Sequence, residues 1–186
     1  MTKTISPKHF LQSGEQTKIT PKIKKIAKRL LGRNDYETAF NTFRWIKANL
    51  KHIQSWPWRR DNLRKRTAAQ VIKSKKASGC GDRAVVFASL MRANGIPAKI
   101  VEALDTEWLK SQGEIISGHV FVDLYIDRQW RITDPTVGTI NLDYAWPAGK
   151  RFTICWKGLD SWELGIKDFK DLKKYCLKVR EAHEKL

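Results

Sequence analysis

Apolar positions along the chain change period part-way through, and that change predicts the layout. From Thr20 to about Leu50 they recur at helical spacing. Ile23, Ile26, Ala27 and Leu30 form one stripe, opened by Thr20-Pro21 and closed by Gly32. Tyr36, Ala39, Phe40, Phe43, Ile46 and Leu50 form a second, with Asp35 as the expected cap. Residues 53–66 break the pattern, and Thr67 caps a short third helix to about Lys73. A fourth runs from Cys80 to about Ala93 on Ala84, Phe87, Ala88 and Met91, and ends at Asn94-Gly95 with Pro97 following. Period-two alternation then takes over. Ala98–Ala103 reads as a strand, 104–117 as a polar loop, and His119–Ile126 as a second strand. In that second strand Val120, Val122, Leu124 and Ile126 face one way, and His119, Phe121, Asp123 and Tyr125 the other. After a turn at Asp127-Arg128-Gln129, Trp130–Thr133 returns; Arg151–Trp156 is a further strand, and a C-terminal helix covers about 166–184. Helices first, then a mostly antiparallel sheet, then a helix make an α+β fold. Residues 1–19 are polar and irregular and read as a flexible N-terminal arm; 20–186 read as a single domain, with its core at about 67–156.

Composition narrows the class. Of 186 residues, 41% are hydrophobic, enough for a real core. No apolar run approaches 18 residues and the first residues carry no apolar stretch, so neither a transmembrane segment nor a secretory signal is expected. Cys80, Cys155 and Cys176 form a sparse, odd set without CxxC spacing, which favours reduced thiols in a cytoplasm and gives no metal site. The net charge of +17, from 36 Lys+Arg against 19 Asp+Glu, attracts polyanions such as nucleic acid or an acidic polymer, and equally suits a solvated basic surface without a specific partner. One stretch interleaves aromatic and cationic groups: Trp56, Trp58, Arg59, Arg60, Arg64, Lys65 and Arg66. Such a stretch stacks on single-stranded nucleic acid, or serves as a basic loop over two buried tryptophans.

Three residues carry candidate chemistry. Cys80 opens an apolar helix inside Ser78-Gly79-Cys80-Gly81-Asp82, where unsatisfied N–H groups favour a thiolate. His119 opens the alternating strand, and Asp134 closes the next one before Pro135. A thiol nucleophile needs a base, and the base needs a group that fixes its tautomer. Flanking glycines leave room for a substrate carbonyl, and the backbone N–H of Cys80 or Gly81 is a candidate oxyanion donor. Taken singly, each residue also has a structural role: a buried inert thiol, a strand histidine, a turn-capping aspartate. The hairpin poses a difficulty. A two-residue turn at Arg128-Gln129 pairs Asp134 with Asp123 and leaves His119 about 13 Å along the strand, at roughly 3.3 Å per residue. Contact then requires a bulge, another register or strong twist, and Asp123 is the reserve candidate.

The segment Ser78–Thr136, about a third of the chain, resembles the core of the transglutaminase-like superfamily. The shared blocks are Gly79-Cys80 at a helix start, Gly95-Ile96-Pro97-Ala98, His119-Val120-Phe121-Val122, and Trp130…Asp134-Pro135-Thr136. Lys99 stands where the family commonly has Arg. The resemblance implies a papain-like core with N-terminal helices packed on the sheet, and a Cys80–His119–Asp134 triad. It also implies a cysteine-dependent hydrolase or acyltransferase working on a protein or peptide amide through a thioester, with no cofactor. Gln54 and Trp56, upstream of the cysteine, are further oxyanion candidates on the same basis. The Cys-Gly-Asp-Arg-Ala order is similar to that of peptide N-glycanases, but the upstream CxxC pair those enzymes usually carry is missing. The alternative is a basic nucleic-acid-binding protein on this fold with an idle triad.

Overall fold

The computed structural model describes residues 5–111, 113–141 and 151–184. Helix α1 spans Pro21–Leu30, and the Thr20 hydroxyl accepts the Ile23 N–H at its start. Ile23 and Ala27 are fully buried while Lys22, Lys24, Lys25, Lys28 and Arg29 stay exposed. Helix α2, Asp35–Asn49, is capped one residue earlier than expected: the Asn34 side-chain oxygen Oδ1 accepts the Glu37 N–H at 2.9 Å. Asp35 instead sits in the first turn, where its charge suits the positive helix end. The irregular stretch at 53–66 contains a short helix, α3, at Trp56–Asn62; Pro57 is tolerated because the first turn needs no intrahelical N–H donors. Helix α4, Ala68–Ser74, opens with a capping box between Thr67 and Gln70. Two short strands, β1 (Lys51–His52) and β2 (Lys76–Ala77), pair in parallel just before the cysteine.

Helix α5, Cys80–Ala93, is the centre of the molecule. Apart from Arg83 it is buried from Gly81 to Arg92, and a helix apolar on nearly every side must be surrounded. Helices α1, α2 and α4 pack on it, and so do β3 (Ala98–Asp105) and β4 (Gly118–Ile126). The segment read as a polar loop holds a short helix, α6, at Thr106–Lys110, whose first N–H groups are taken by the Asp105 carboxylate. Strands β5 (Gln129–Asp134), β6 (Thr139–Ile140) and β7 (Phe152–Gly158) complete an antiparallel sheet of order β6-β5-β4-β3-β7. The alternation of β4 is realised. Val120, Val122, Leu124 and Ile126 join the α5 core, and Phe121 packs with Val101, Ala103 and Ile132 in a second cluster. Helix α7, Phe169–His183, closes the described chain.

Two expectations change. The hairpin turn is Asp127-Arg128, both at positive φ (51° and 62°), and Ile126 pairs with Gln129. That is the turn geometry which matches strand twist. Moving the turn back one residue shifts the pairing by two, so that Val122 faces Thr133. One step further puts Asp134 opposite Phe121, not Asp123, with no bulge in this pair of strands. The second change concerns 5–19, expected as a flexible arm. Phe10 is buried with its ring edge-on to Trp130 at 5.5 Å, and Gln16 and Thr17 are buried. The Asp160 carboxylate accepts both of their backbone N–H groups, at 2.8 and 3.2 Å. Buried hydrogen bonds to a carboxylate tie the segment to the body.

Candidate active site

Cys80 is the first residue of α5, and its approach is held from two sides. Asp82 accepts the Ser78 N–H (2.6 Å) and hydroxyl (2.7 Å) and pairs with Arg66, while Arg59 donates to the Ser78 carbonyl at 2.9 Å. The sulfur is thereby aimed from a helix end whose N–H groups have no intrahelical acceptor.

His119 stands at the start of β4. The corrected register makes it the diagonal neighbour of Asp134, a relation of about 7–8 Å between Cα atoms that side chains bridge easily. The His119 Nε2 lies 2.8 Å from Asp134 Oδ2, and Asp134 Oδ1 accepts the Thr136 N–H at 2.7 Å. The imidazole ring is held edge-on against Phe121 (4.6 Å between centroids) and beside Phe152 (5.8 Å). With Nε2 given to Asp134, Nδ1 is the ring nitrogen left for Cys80, and the imidazole and the thiol act on each other's proton affinity.

Charge follows from these contacts. Burial opposes an imidazolium, but hydrogen bonds to Asp134 and Cys80 outweigh it and push His119 up to about 10. Burial likewise opposes a Cys80 thiolate; the bond to His119, the charges of His119 and Arg64 and the Val120 backbone outweigh it, so the thiol is held below its ordinary value. Asp134 is lowered despite burial, through His119 and Thr136. Both shifts run toward the charged forms of thiol and imidazole, with a carboxylate beside the ring.

Cys80 and His119 open on a cleft of about 190 Å³. Trp56 and Gly81 line it with them; Gln54 is exposed and outside the lining. Trp56 is half exposed and meets the Phe169 ring edge-on at 5.6 Å, so α3 and α7 touch across the cleft. The basic and aromatic stretch is divided rather than continuous. Arg64 is buried on Glu102, Arg66 reaches Asp82 and lies over Trp58 at 5.0 Å, and Arg59 holds Ser78. Arg60, beside Asp61, and Lys65 remain exposed. Buried carboxylates claim cations that sequence proximity assigned to the surface. Asp123, the reserve candidate, is fully buried with Lys157 at 3.0 Å. Sequence reasoning passed over Asp82 and the Arg64–Glu102 pair. The available signal was Glu102 itself, a lone acid in an apolar strand.

Residues 24–135 match the family model of the transglutaminase-like superfamily, which is 112 of the 186 residues and includes Cys80, His119 and Asp134. The chain belongs to the transglutaminase-like superfamily. A solved structure of a candidate cysteine protease from Cytophaga hutchinsonii has the same fold, with a TM-score of 0.62 at 21% identity. The match covers 82% of this chain and 47% of that one, so the chain spans about half the length of that protein. No curated relative matches. The fold of this superfamily member is accordingly α+β and papain-like. Among the described residues no helix is long and apolar enough to cross a membrane, and no group of three or more His, Cys, Asp or Glu is arranged for a metal ion.

Proposed function

We propose that the chain is a cysteine-dependent amide hydrolase, with acyl transfer as the variant of the same chemistry, acting through Cys80, His119 and Asp134. The observation that carries the reading is one imidazole bonded to a carboxylate at 2.8 Å and lining the same cleft as a thiol at a helix start. The Cys80 thiolate adds to the amide carbonyl carbon, and the oxygen takes the negative charge. The backbone N–H of Gly81 and the indole N–H of Trp56, both on the cleft, are the donors assigned to that oxygen. As the C–N bond breaks, the imidazolium gives its proton to the departing amine, leaving a thioester on Cys80. His119 then takes a proton from water, the hydroxide adds to the thioester, and the acid leaves with the thiolate restored. Asp134 holds the ring orientation and steadies its charged form throughout. An acceptor amine in place of water gives transfer.

The substrate class is a protein or peptide amide, in keeping with the protease named for the related structure. Residues 20–186 act as a single domain, and 5–19 pack on it through Gln16, Thr17 and Asp160. Three thiols free of disulfides support a reducing compartment such as the cytoplasm. The +17 charge supports attraction of acidic peptides or polymers toward the cleft. The rival, a nucleic-acid-binding module with an idle triad, draws support from that charge alone. The test is labelling with an electrophilic amide mimic followed by peptide mapping. Modification at Cys80 that disappears in His119→Ala is the expected result; labelling centred on Cys155 or Cys176 overturns the assignment.

A further inference from the structure

We propose that Arg64 and Glu102 are positioning residues for the nucleophile: a buried ion pair in the floor of the cleft that seats the first turn of α5 and balances the charge felt at Cys80. The inference rests on Cys80 being the reactive thiol. Nη1 of Arg64 donates to Glu102 Oε1 at 2.7 Å and Nη2 to Oε2 at 2.8 Å. Ser161 completes the cluster, accepting from Arg64 at 2.9 Å and donating to Glu102 at 2.6 Å. Both ionic side chains are 6% exposed, and both residues line the cleft with Cys80.

Three features show that Arg64 is held in place. Its φ is +64°, a conformation L-residues adopt only under constraint. Its carbonyl accepts from Trp162 Nε1 at 2.7 Å and from Gln16 Nε2 at 3.2 Å. Its guanidinium lies directly under the residue after the nucleophile: a methyl group at Gly81 would sit 3.1 Å from Nη1. The glycine following Cys80 is therefore the residue that lets the cation approach the helix start. Taking two charges out of water is a poor way to stabilise a fold, and a well-packed apolar pair often does as well. A pair kept beneath a thiolate has a use there. The guanidinium favours the anion on sulfur, and the carboxylate limits that effect and fixes the guanidinium plane.

The balance gives a test with opposite signs. Arg64→Gln leaves the Glu102 charge near the sulfur, so Cys80 ionises less readily. Glu102→Gln leaves the Arg64 charge uncompensated, so Cys80 ionises more readily. Iodoacetamide alkylation of Cys80 is followed against pH by peptide mapping in the full chain. Below the midpoint at fixed pH, the expected change is roughly tenfold slower for Arg64→Gln and roughly tenfold faster for Glu102→Gln, with the double variant close to wild type. A purely structural tie moves both single variants in the same direction, or neither, and that result overturns the proposal. If Arg64→Gln does not fold, the near-isosteric Glu102→Gln decides alone: a midpoint that stays put or rises ends the inference. A wild-type Cys80 that titrates as an ordinary thiol defeats the parent reading instead, so the two failures are distinguishable.

Discussion

Two cysteines line the same cleft, and the protein treats them in opposite ways. Cys80 starts α5, beside His119 and above the Arg64 guanidinium, and its thiol is lowered. Cys176 lies within α7, 1% exposed, in a cluster with Leu104, Trp108 and Leu109. Burial, joined by the Glu102 charge and against the pull of Arg64, pushes that thiol up to about 12. Cys155, at the residue left over where the β3–β7 register shifts, is raised as well, chiefly by burial. Thiol acidity is thus set by position rather than by residue type. A helix start offers unspent N–H groups and a partner base; a helix interior offers neither, because its N–H groups are already bonded.

The largest expected effect that separates the two thiols is on turnover. Cys80→Ala should reduce amide hydrolysis by on the order of 10⁵-fold or more, the scale seen for loss of a nucleophile, while Cys176→Ala stays within about threefold. A large loss in the second variant would erase the contrast. Next comes the group that maintains the charge on the reactive side. Asp134→Asn should keep the fold, by circular dichroism, and lower kcat by on the order of 10³–10⁴-fold, since an amide neither steadies the imidazolium nor selects its tautomer. Unchanged turnover would remove Asp134 from the mechanism.

The pH dependence sharpens the comparison further. The Cys80 midpoint lies below the ordinary 9.0, so its alkylation should climb at a pH where Cys176 is silent, and at pH 7 Cys80 should react more than about a thousandfold faster. On the proposed mechanism, turnover needs thiolate and imidazolium together. It should rise as pH passes the lowered Cys80 value, and fall as His119 loses its proton near pH 10. An alkaline limb near 6.5 would mean that His119 keeps its ordinary proton affinity. The smallest effect is on stability, and it falls on the other thiol. Cys176→Ser buries a hydroxyl where a weakly polar thiol sat, and should cost about 1–3 kcal/mol in urea unfolding with turnover retained. Cys80→Ser, at the solvent-reachable helix start, should change stability by less.

Much of the frame around these thiols was legible in the residues. Thr20-Pro21, Thr67 and Asn94-Gly95 state local rules whose partners lie within a few positions, so the helix ends they predict agree with the structure to within a few residues. The shorter elements escaped for the same reason in reverse. Seven residues around Trp56-Pro57-Trp58 and five at Thr106–Lys110 are too few to establish a period, and what holds them lies elsewhere: Phe169 against Trp56, and the Asp105 carboxylate at the start of α6. The arm at 5–19 looked unstructured because the acceptor of its N–H groups, Asp160, is more than 140 residues away.

The candidate site divides along the same line. Residue types, their order and the helix-start position of Cys80 can be read from the chain, because they depend on composition and neighbours alone. The distance between His119 and Asp134 cannot. It turns on whether a two-residue turn sits at Asp127-Arg128 or one position later, a choice that moves the partner strand by two residues and about 7 Å. Nor does the chain disclose that Arg64, written into a run of surface-like cations, lies buried against Glu102 beneath Gly81. Local pattern determines which elements form and which chemistry they carry. The register of the strands and the pairing of buried charges are decided only when those elements pack, because both depend on groups that are distant in sequence and adjacent in space.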